Sequence, residues 1–294
     1  MNETLELHTQ RDFAQLMNSA FLYVRLHFRT LVIALACAVA PLKLLQMVAM
    51  KLYSKHAGTT TYRWLREHPT SSFTEWTLFT QTLSPSLFVV IFFTVFINLT
   101  IALIVFSHVI EYEENHQRPI TLTSIWERIE VDLFSGMGLW FTMAFLLLIA
   151  STFLVIPGIY LAIPFLIALL IHMREGTSIP DTLRRSLSLY KGQWWVGFGL
   201  VAVLLLIQLA FAFGMGLSVI LLYRFLPPVI VISFKGFVNV LVSVVGSFAT
   251  AVMYVAMALQ YYNLLEQKEG IGLLNRVEAI GQASRNGHFS IDNE

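Results

Sequence analysis

The chain has 294 residues, a formal net charge of +1, 56% hydrophobic and only 13% charged residues, and a mean hydropathy of +0.69. Soluble domains carry about 25% charged residues, so this composition excludes an ordinary soluble globular domain, and the near-neutral charge gives no footing for nucleic acid. The single cysteine, Cys37, excludes an intrachain disulfide.

The opening MNETLELHTQRD lacks the basic start and short apolar run of a cleaved signal peptide, so the first span is expected to persist. Phe13, Leu16, Met17, Ala20, Phe21 and Val24 then recur at helical spacing, followed by Arg25 and Arg29, and predict a short amphipathic helix. The apolar block Leu31–Met50 predicts a first span, and Leu87–Ile110 a second. In the intervening loop from Lys51 to Pro85, Ser72 and Glu75 predict a capped short helix bearing Phe73, Trp76 and Phe79, lying on the outer surface. After the second span, "SIWERIEVDLF" repeats the amphipathic theme, with Ser124 and Glu127 as a capping box and Ile125, Ile129 and Leu133 as its stripe.

Gly136–Met173 is uncharged over about 38 residues, or ~57 Å as one helix, against a hydrocarbon core of ~30 Å. It must fold as two spans. Pro157-Gly158 sits at its middle and is the predicted turn. Pro164 lies early in the returning span, where a kink is expected. Next, "SIPDTLRRSLSLYKGQWW" predicts another amphipathic helix, capped by Ser178 and Asp181, with Leu183, Leu187 and Tyr190 on one face. Trp194-Leu222 predicts the fifth span. Val229–Tyr262 is too long for one straight span, and Lys235-Gly236 interrupts it, so the sixth is placed from about Phe237. Tyr223 to Phe234, with Pro227-Pro228, then lies at the interface or dips in as a re-entrant piece. Leu274, Val277 and Ile280 give the tail a last amphipathic stripe.

The predicted fold is therefore all-α: a polytopic membrane protein whose six transmembrane helices form three hairpins, each preceded by a cytoplasmic interfacial amphipathic helix. We read 1–294 as a single integral membrane domain with repeat units near 9–110, 120–173 and 178–262, an amphipathic tail at 263–285 and a disordered end at 286–294. Lys and Arg are denser in the N-terminus, the 111–135 and 174–193 loops and the tail than on the opposite side (Lys51, Lys55, Arg63, Arg66, Arg224, Lys235), which points both termini toward the cytoplasm. Trp126, Trp194 and Trp195 stand where an interfacial aromatic belt belongs.

The stretch "IPGIYLAIPFLIALLIHMREGTSIPDTLRRSLSLYKGQWWVGFGL" resembles a pattern in bacterial multi-span proteins similar to the membrane domain of glycerophosphoryl diester phosphodiesterase, a largely uncharacterised family. The shared elements are the Ile-Pro-Gly turn, a short return span, a glycine after an acidic residue, the "LRRS" helix and aromatics opening the next span. "YYNLLEQKEGIGLLNRVEAIG" is similar to the family's usual ending. The resemblance covers Phe153 to Leu200 closely and implies the six-span layout and a bacterial inner-membrane location. It implies no activity, since phosphodiesterase catalysis in that family belongs to a separate soluble barrel.

None of the six expected spans holds an Asp or Glu, which disfavours proton-relay and aspartyl chemistry. No metalloprotease, nucleophile-elbow, phosphate-loop or cysteine-cluster motif occurs. Lys43, Asn98 and Gln208 form a candidate intramembrane polar set, with Asn239 and Gln260 beside them. The spacing in "HVIE" (His108, Glu111) and "HMRE" (His172, Glu175) puts two potential metal ligands on one helix face, and "NLLE" (Asn263, Glu266) holds the matching place; Glu113, Glu114 and His116 extend the first. The same residues are equally ordinary at helix ends, where histidine meets the dipole and glutamate meets water.

These features point to a non-enzymatic scaffold or accessory subunit with no cofactor. It would dock other membrane or cytoplasmic proteins, or anionic lipid, through Leu183, Leu187, Tyr190, Arg184 and Arg185. Two alternatives remain. One is a transporter or channel for a lipid-like or small apolar solute, with a path near Lys43 and Pro164. The other is a metal-dependent enzyme using the His-x-x-Glu pairs.

Overall fold

The computed structural model describes residues 5–67, 85–114, 120–153 and 155–270, and every regular element among them is helical. In chain order these are α1 (Phe13–Leu26), α2 (Phe28–Glu67), α3 (Pro85–Glu114), α4 (Leu122–Phe153), α5 (Val155–Glu175), α6 (Ile179–Tyr190), α7 (Trp194–Phe225) and α8 (Pro228–Glu269). Six of them are long and apolar enough to cross a bilayer, over Phe28–Leu52, Phe88–Glu114, Leu122–Thr152, Val155–Glu175, Trp194–Phe225 and Phe234–Glu269. The chain is thus an all-α integral membrane protein. The helices satisfy the backbone internally, as a lipid environment demands.

Two compact units can be distinguished within the chain. The first comprises Met1–Thr30, Val105–Ile207 and Val252–Glu294, and the second Leu31–Ile104 and Gln208–Ala251.

Local chemistry explains where helices begin. Asp12 caps α1 in a full capping box: its carboxylate accepts from the Gln15 amide at 2.8 Å, and the Gln15 side chain accepts from the Asp12 amide at 3.1 Å. The predicted stripe divides, with Leu16, Ala20 and Val24 buried and Phe13 and Phe21 exposed. Ser178 caps α6 as expected, with Pro180 in its first turn.

Several expectations are corrected. In the long apolar block α4 ends at Phe153 and α5 begins at Val155, so Pro157 and Gly158 sit inside the first turns of α5. Proline is tolerated there because a first-turn amide has no intrahelical partner to lose. Gly158 serves the hairpin differently: a Cβ there would stand 2.3 Å from Ser151 Oγ on α4, so its absence lets the two helices touch. The segment expected as a separate surface helix at 124–133 continues without a break into α4. Its cap is Thr121, whose Oγ1 accepts from the Ser124 amide at 3.2 Å, in place of the Ser124–Glu127 box. Likewise α2 runs on past Met50, through Gly58, to Glu67. Tyr223 to Phe234 is helical except at one short break. Only Leu226 and Pro227 separate α7 from α8, and α8 is unbroken at Lys235-Gly236. One glycine costs a helix about 1 kcal/mol, too little to free carbonyls in lipid. The outer-loop residues Ser72, Phe73, Glu75, Trp76 and Phe79, the tail stripe Leu274, Val277 and Ile280, and His116 lie outside the described residues.

Candidate functional site

The first unit brings the last turns of α3, α5 and α8 together with the N-terminal segment. The α5 end is favourable for a cation because orphan carbonyls concentrate negative charge there, and Arg174 occupies it. Gly176 follows with φ +61° and returns its amide to the His172 carbonyl at 3.0 Å; Gly270, φ +59°, closes α8 onto Glu266 in the same way at 3.1 Å.

Arg174 faces Glu113 of α3. Its Nε donates to Oε2 at 2.8 Å and its Nη2 to Oε1 at 2.6 Å, a two-pronged pair that is mostly shielded from solvent. Glu113 also accepts from Tyr262 at 2.7 Å and pairs with His8 Nε2 at 2.8 Å. Arg174 Nη1 donates to the Tyr261 hydroxyl at 3.1 Å, and that hydroxyl donates to Glu175 at 2.8 Å. The guanidinium lies 5.7 and 5.3 Å from the Tyr261 and Tyr262 ring centroids, within cation–π range. Arg185 of α6 continues the chain of contacts to Glu175 at 3.3 Å and Glu269 at 2.5 Å. Burial disfavours the Arg185 charge, but Glu269 and Glu175 outweigh it and hold its pKa above the usual value. Lys268 caps the end of α6 by donating to the Ser188 and Lys191 carbonyls. The Arg11 amide donates to Asn263 Oδ1 at 2.9 Å, and the Asn263 amide to Gln260 at 3.3 Å. Beside them Arg11, Asp12, Gln193, Gln260, Asn263 and Gln267, together with Phe13, Leu16, Val196 and Leu200, line a mixed cavity of about 250 Å³.

The His-x-x-Glu candidates take separate partners. His108 is fully buried, its Nδ1 2.6 Å from the Tyr23 hydroxyl. Burial, with Tyr112 adding, raises the Tyr23 pKa well above its ordinary value. Among the described residues the buried His108 Nε2 has no hydrogen-bond partner. His27, with its ring centroid 4.9 Å from that of His108 and 5.0 Å from that of Tyr112, closes this ring cluster. Burial lowers the His27 pKa. His172 Nδ1 pairs with the Thr177 carbonyl at 2.8 Å, and Glu111 stands 3.9 Å from Arg128. Among the described residues no group of three or more His, Cys, Asp or Glu is placed to hold a metal ion.

The proposed docking face is smaller than its sequence pattern. α6 packs along α5. Tyr190 is buried, and a Cβ on Gly197 would stand 2.2 Å from its ring and 3.0 Å from Ile163. Tyr190 is therefore a packing residue, and burial raises its pKa. Arg185 is tied to its two glutamates. Arg184 remains exposed, with its side chain 83% accessible, and Leu183 and Leu187 are half-buried beside it.

In the second unit, Gln208 donates to Thr250 at 2.7 Å and so links α7 to α8. Asn98 donates instead to the Thr94 carbonyl of its own helix at 2.8 Å. Lys43 lines a half-open cavity of about 330 Å³ with Gln46, Met47, Met50, Val90, Asn239, Val240 and Ser243. A lysine within a span costs about 2.5–3.5 kcal/mol on insertion scales.

His8, Arg174, Tyr261 and Tyr262 are junction residues that sequence reasoning missed. The available signal was complementarity at matching span ends: acid on α3, base on α5, and two adjacent tyrosines in the last apolar run. No family model, curated protein or solved structure matches the chain.

Proposed function

We propose that the chain is a non-enzymatic scaffold or accessory subunit of the bacterial inner membrane, with both termini cytoplasmic, that docks a partner protein on α6. The observation that supports this most is how α6 is held. Arg185, Lys268 and Tyr190 secure it, while Arg184 points outward between two half-buried leucines. An acidic partner surface with an apolar centre complements that face. The resemblance of Phe153 to Leu200 to uncharacterised bacterial membrane domains accords with this reading. The test is purification of the full chain from native membranes with quantitative mass spectrometry of what accompanies it. Leu183→Asn with Leu187→Asn, and separately Arg184→Glu, are expected to remove a defined set of proteins present at constant ratio in the wild type. Unchanged recovery in both variants refutes the proposal.

A second reading, movement of a lipid-like solute, is favoured by the half-open cavity at Lys43. It requires uptake or flipping in proteoliposomes that ceases when Ser243→Phe fills the cavity.

A further inference from the structure

We propose that the Lys43 cavity binds the phosphate headgroup of an anionic phospholipid. The ammonium of Lys43 has three donors, yet among the described residues it has no hydrogen-bond or ion-pair partner. The side chains of Asn239 and Ser243, one helical turn apart on α8, are likewise unpartnered and line the same cavity. Gln46, on the same stretch of α2, also lines the cavity and spends its side-chain amide on Thr94 at 2.6 Å. Three separate donors thus converge on one space.

Among the described residues, the spans of the second unit offer no counter-ion for them. The span segments of the second unit (31–52, 88–104, 208–225 and 228–251) contain no Asp or Glu. A charge held in an apolar span is paired with an opposite one or reaches water, and a half-open cavity edged by donors with no carboxylate suits an anion from outside the chain. A tetrahedral phosphate accepts from an ammonium, an amide and a hydroxyl at once.

The walls select a lipid over free phosphate. Met47, Met50, Val90 and Val240 complete the lining, and Leu44 and Val48 are exposed on α2 beside it. These are surfaces for acyl chains. A volume of about 330 Å³ stands at the low end of the ~300–1,000 Å³ of ligand sites. It admits a headgroup and leaves the chains along the helices. The site is independent of α6, and occupancy requires no transport.

Native mass spectrometry of the delipidated full chain in detergent, titrated with phosphatidylglycerol or phosphatidylethanolamine, tests this. Phosphatidylglycerol is expected to bind the wild type more tightly than phosphatidylethanolamine. Lys43→Met weakens the anionic lipid by about tenfold or more, the effect of losing one charge-assisted bond, while Lys43→Arg retains it. Ser243→Phe, which fills the cavity and keeps the lysine, gives the same loss and covers the case in which Lys43→Met does not fold. Equal binding of the two lipids overturns the proposal. So does unchanged phosphatidylglycerol binding in Ser243→Phe. Displacement of phosphatidylglycerol by an equal concentration of glycerol 3-phosphate also overturns it, since the ligand would then be a soluble phosphate.

Discussion

Pro164 lies buried inside α5 and has no amide hydrogen, so the Tyr160 carbonyl four residues earlier loses its helical donor. The indole Nε1 of Trp194 takes that place, donating to Tyr160 O at 3.0 Å. The two rings stack at 5.5 Å with 17° between planes, and Phe198 stacks on the other side of the indole at 5.2 Å. Trp194→Phe removes the donor and keeps an aromatic ring. The carbonyl then has no donor from the chain, and a loss of about 0.5–1.5 kcal/mol is expected, the net worth of one hydrogen bond. Pro164→Ala supplies a backbone donor to the same carbonyl. In that background Trp194→Phe is expected to cost less than about 0.5 kcal/mol, a coupling of about 1 kcal/mol. Reversible unfolding in mixed micelles, read by helical circular dichroism for the four proteins of the cycle, measures it. An equal cost for Trp194→Phe with Pro164 and with Ala at 164 refutes the reasoning, because the indole would then act by packing alone.

Arg174→Gln strands Glu113 among its remaining partners and is expected to cost about 3 kcal/mol, whereas Arg184→Gln at the exposed α6 face costs no more than about 0.5 kcal/mol; the same unfolding assay separates them. Gly158→Ala drives its new methyl into Ser151 Oγ and is expected to cost about 1–3 kcal/mol, with Ser151→Gly restoring most of the loss. His27 gives stability a pH dependence. Its folded pKa is lowered by burial, so the unfolded chain takes up the proton more readily. Stability is therefore full above the ordinary histidine pKa of ~6.5 and declines as pH falls below it. A midpoint series from pH 7.5 to pH 5 is expected to show a shallower decline in His27→Gln, and parallel curves would refute the assignment.

How much was legible follows from which signals are local. Span number came from apolar length, which a bilayer makes nearly quantitative, and the Asp12 and Ser178 regions carry cap chemistry readable within a few residues. Turn positions were less legible. Pro157-Gly158 has turn chemistry, but the same residues suit the first turns of a helix, and the choice depends on Ser151 across the hairpin. Lys235-Gly236 looked like a break because propensity was weighed without the cost of exposing carbonyls to lipid. The junction was hardest. Glu113 is one of several acids after the second span, and only its distances to Arg174, Tyr262 and His8 distinguish it. Such pairings span 61, 149 and 105 residues of sequence, which no periodicity encodes.

The contrast between Arg174 and Lys43 separates structural from functional charge in this chain. Both are cations within helices that cross the bilayer, and each carries a desolvation cost that its surroundings must offset. Arg174 meets Glu113 through two prongs and lies near two tyrosine rings, so its cost is met within the protein and its removal is expected to act on stability. Lys43 meets a cavity edged by unpartnered Asn239 and Ser243. If it served stability alone, replacement by methionine of similar length would remove the cost and strengthen the fold, as exchanging unpaired buried charge for apolar surface generally does. Lys43→Met is accordingly expected to raise the unfolding midpoint in the delipidated protein while weakening binding of the anionic lipid. Opposite signs for stability and binding at one residue are the signature of a group kept for its ligand, and a fall in both would place Lys43 with Arg174.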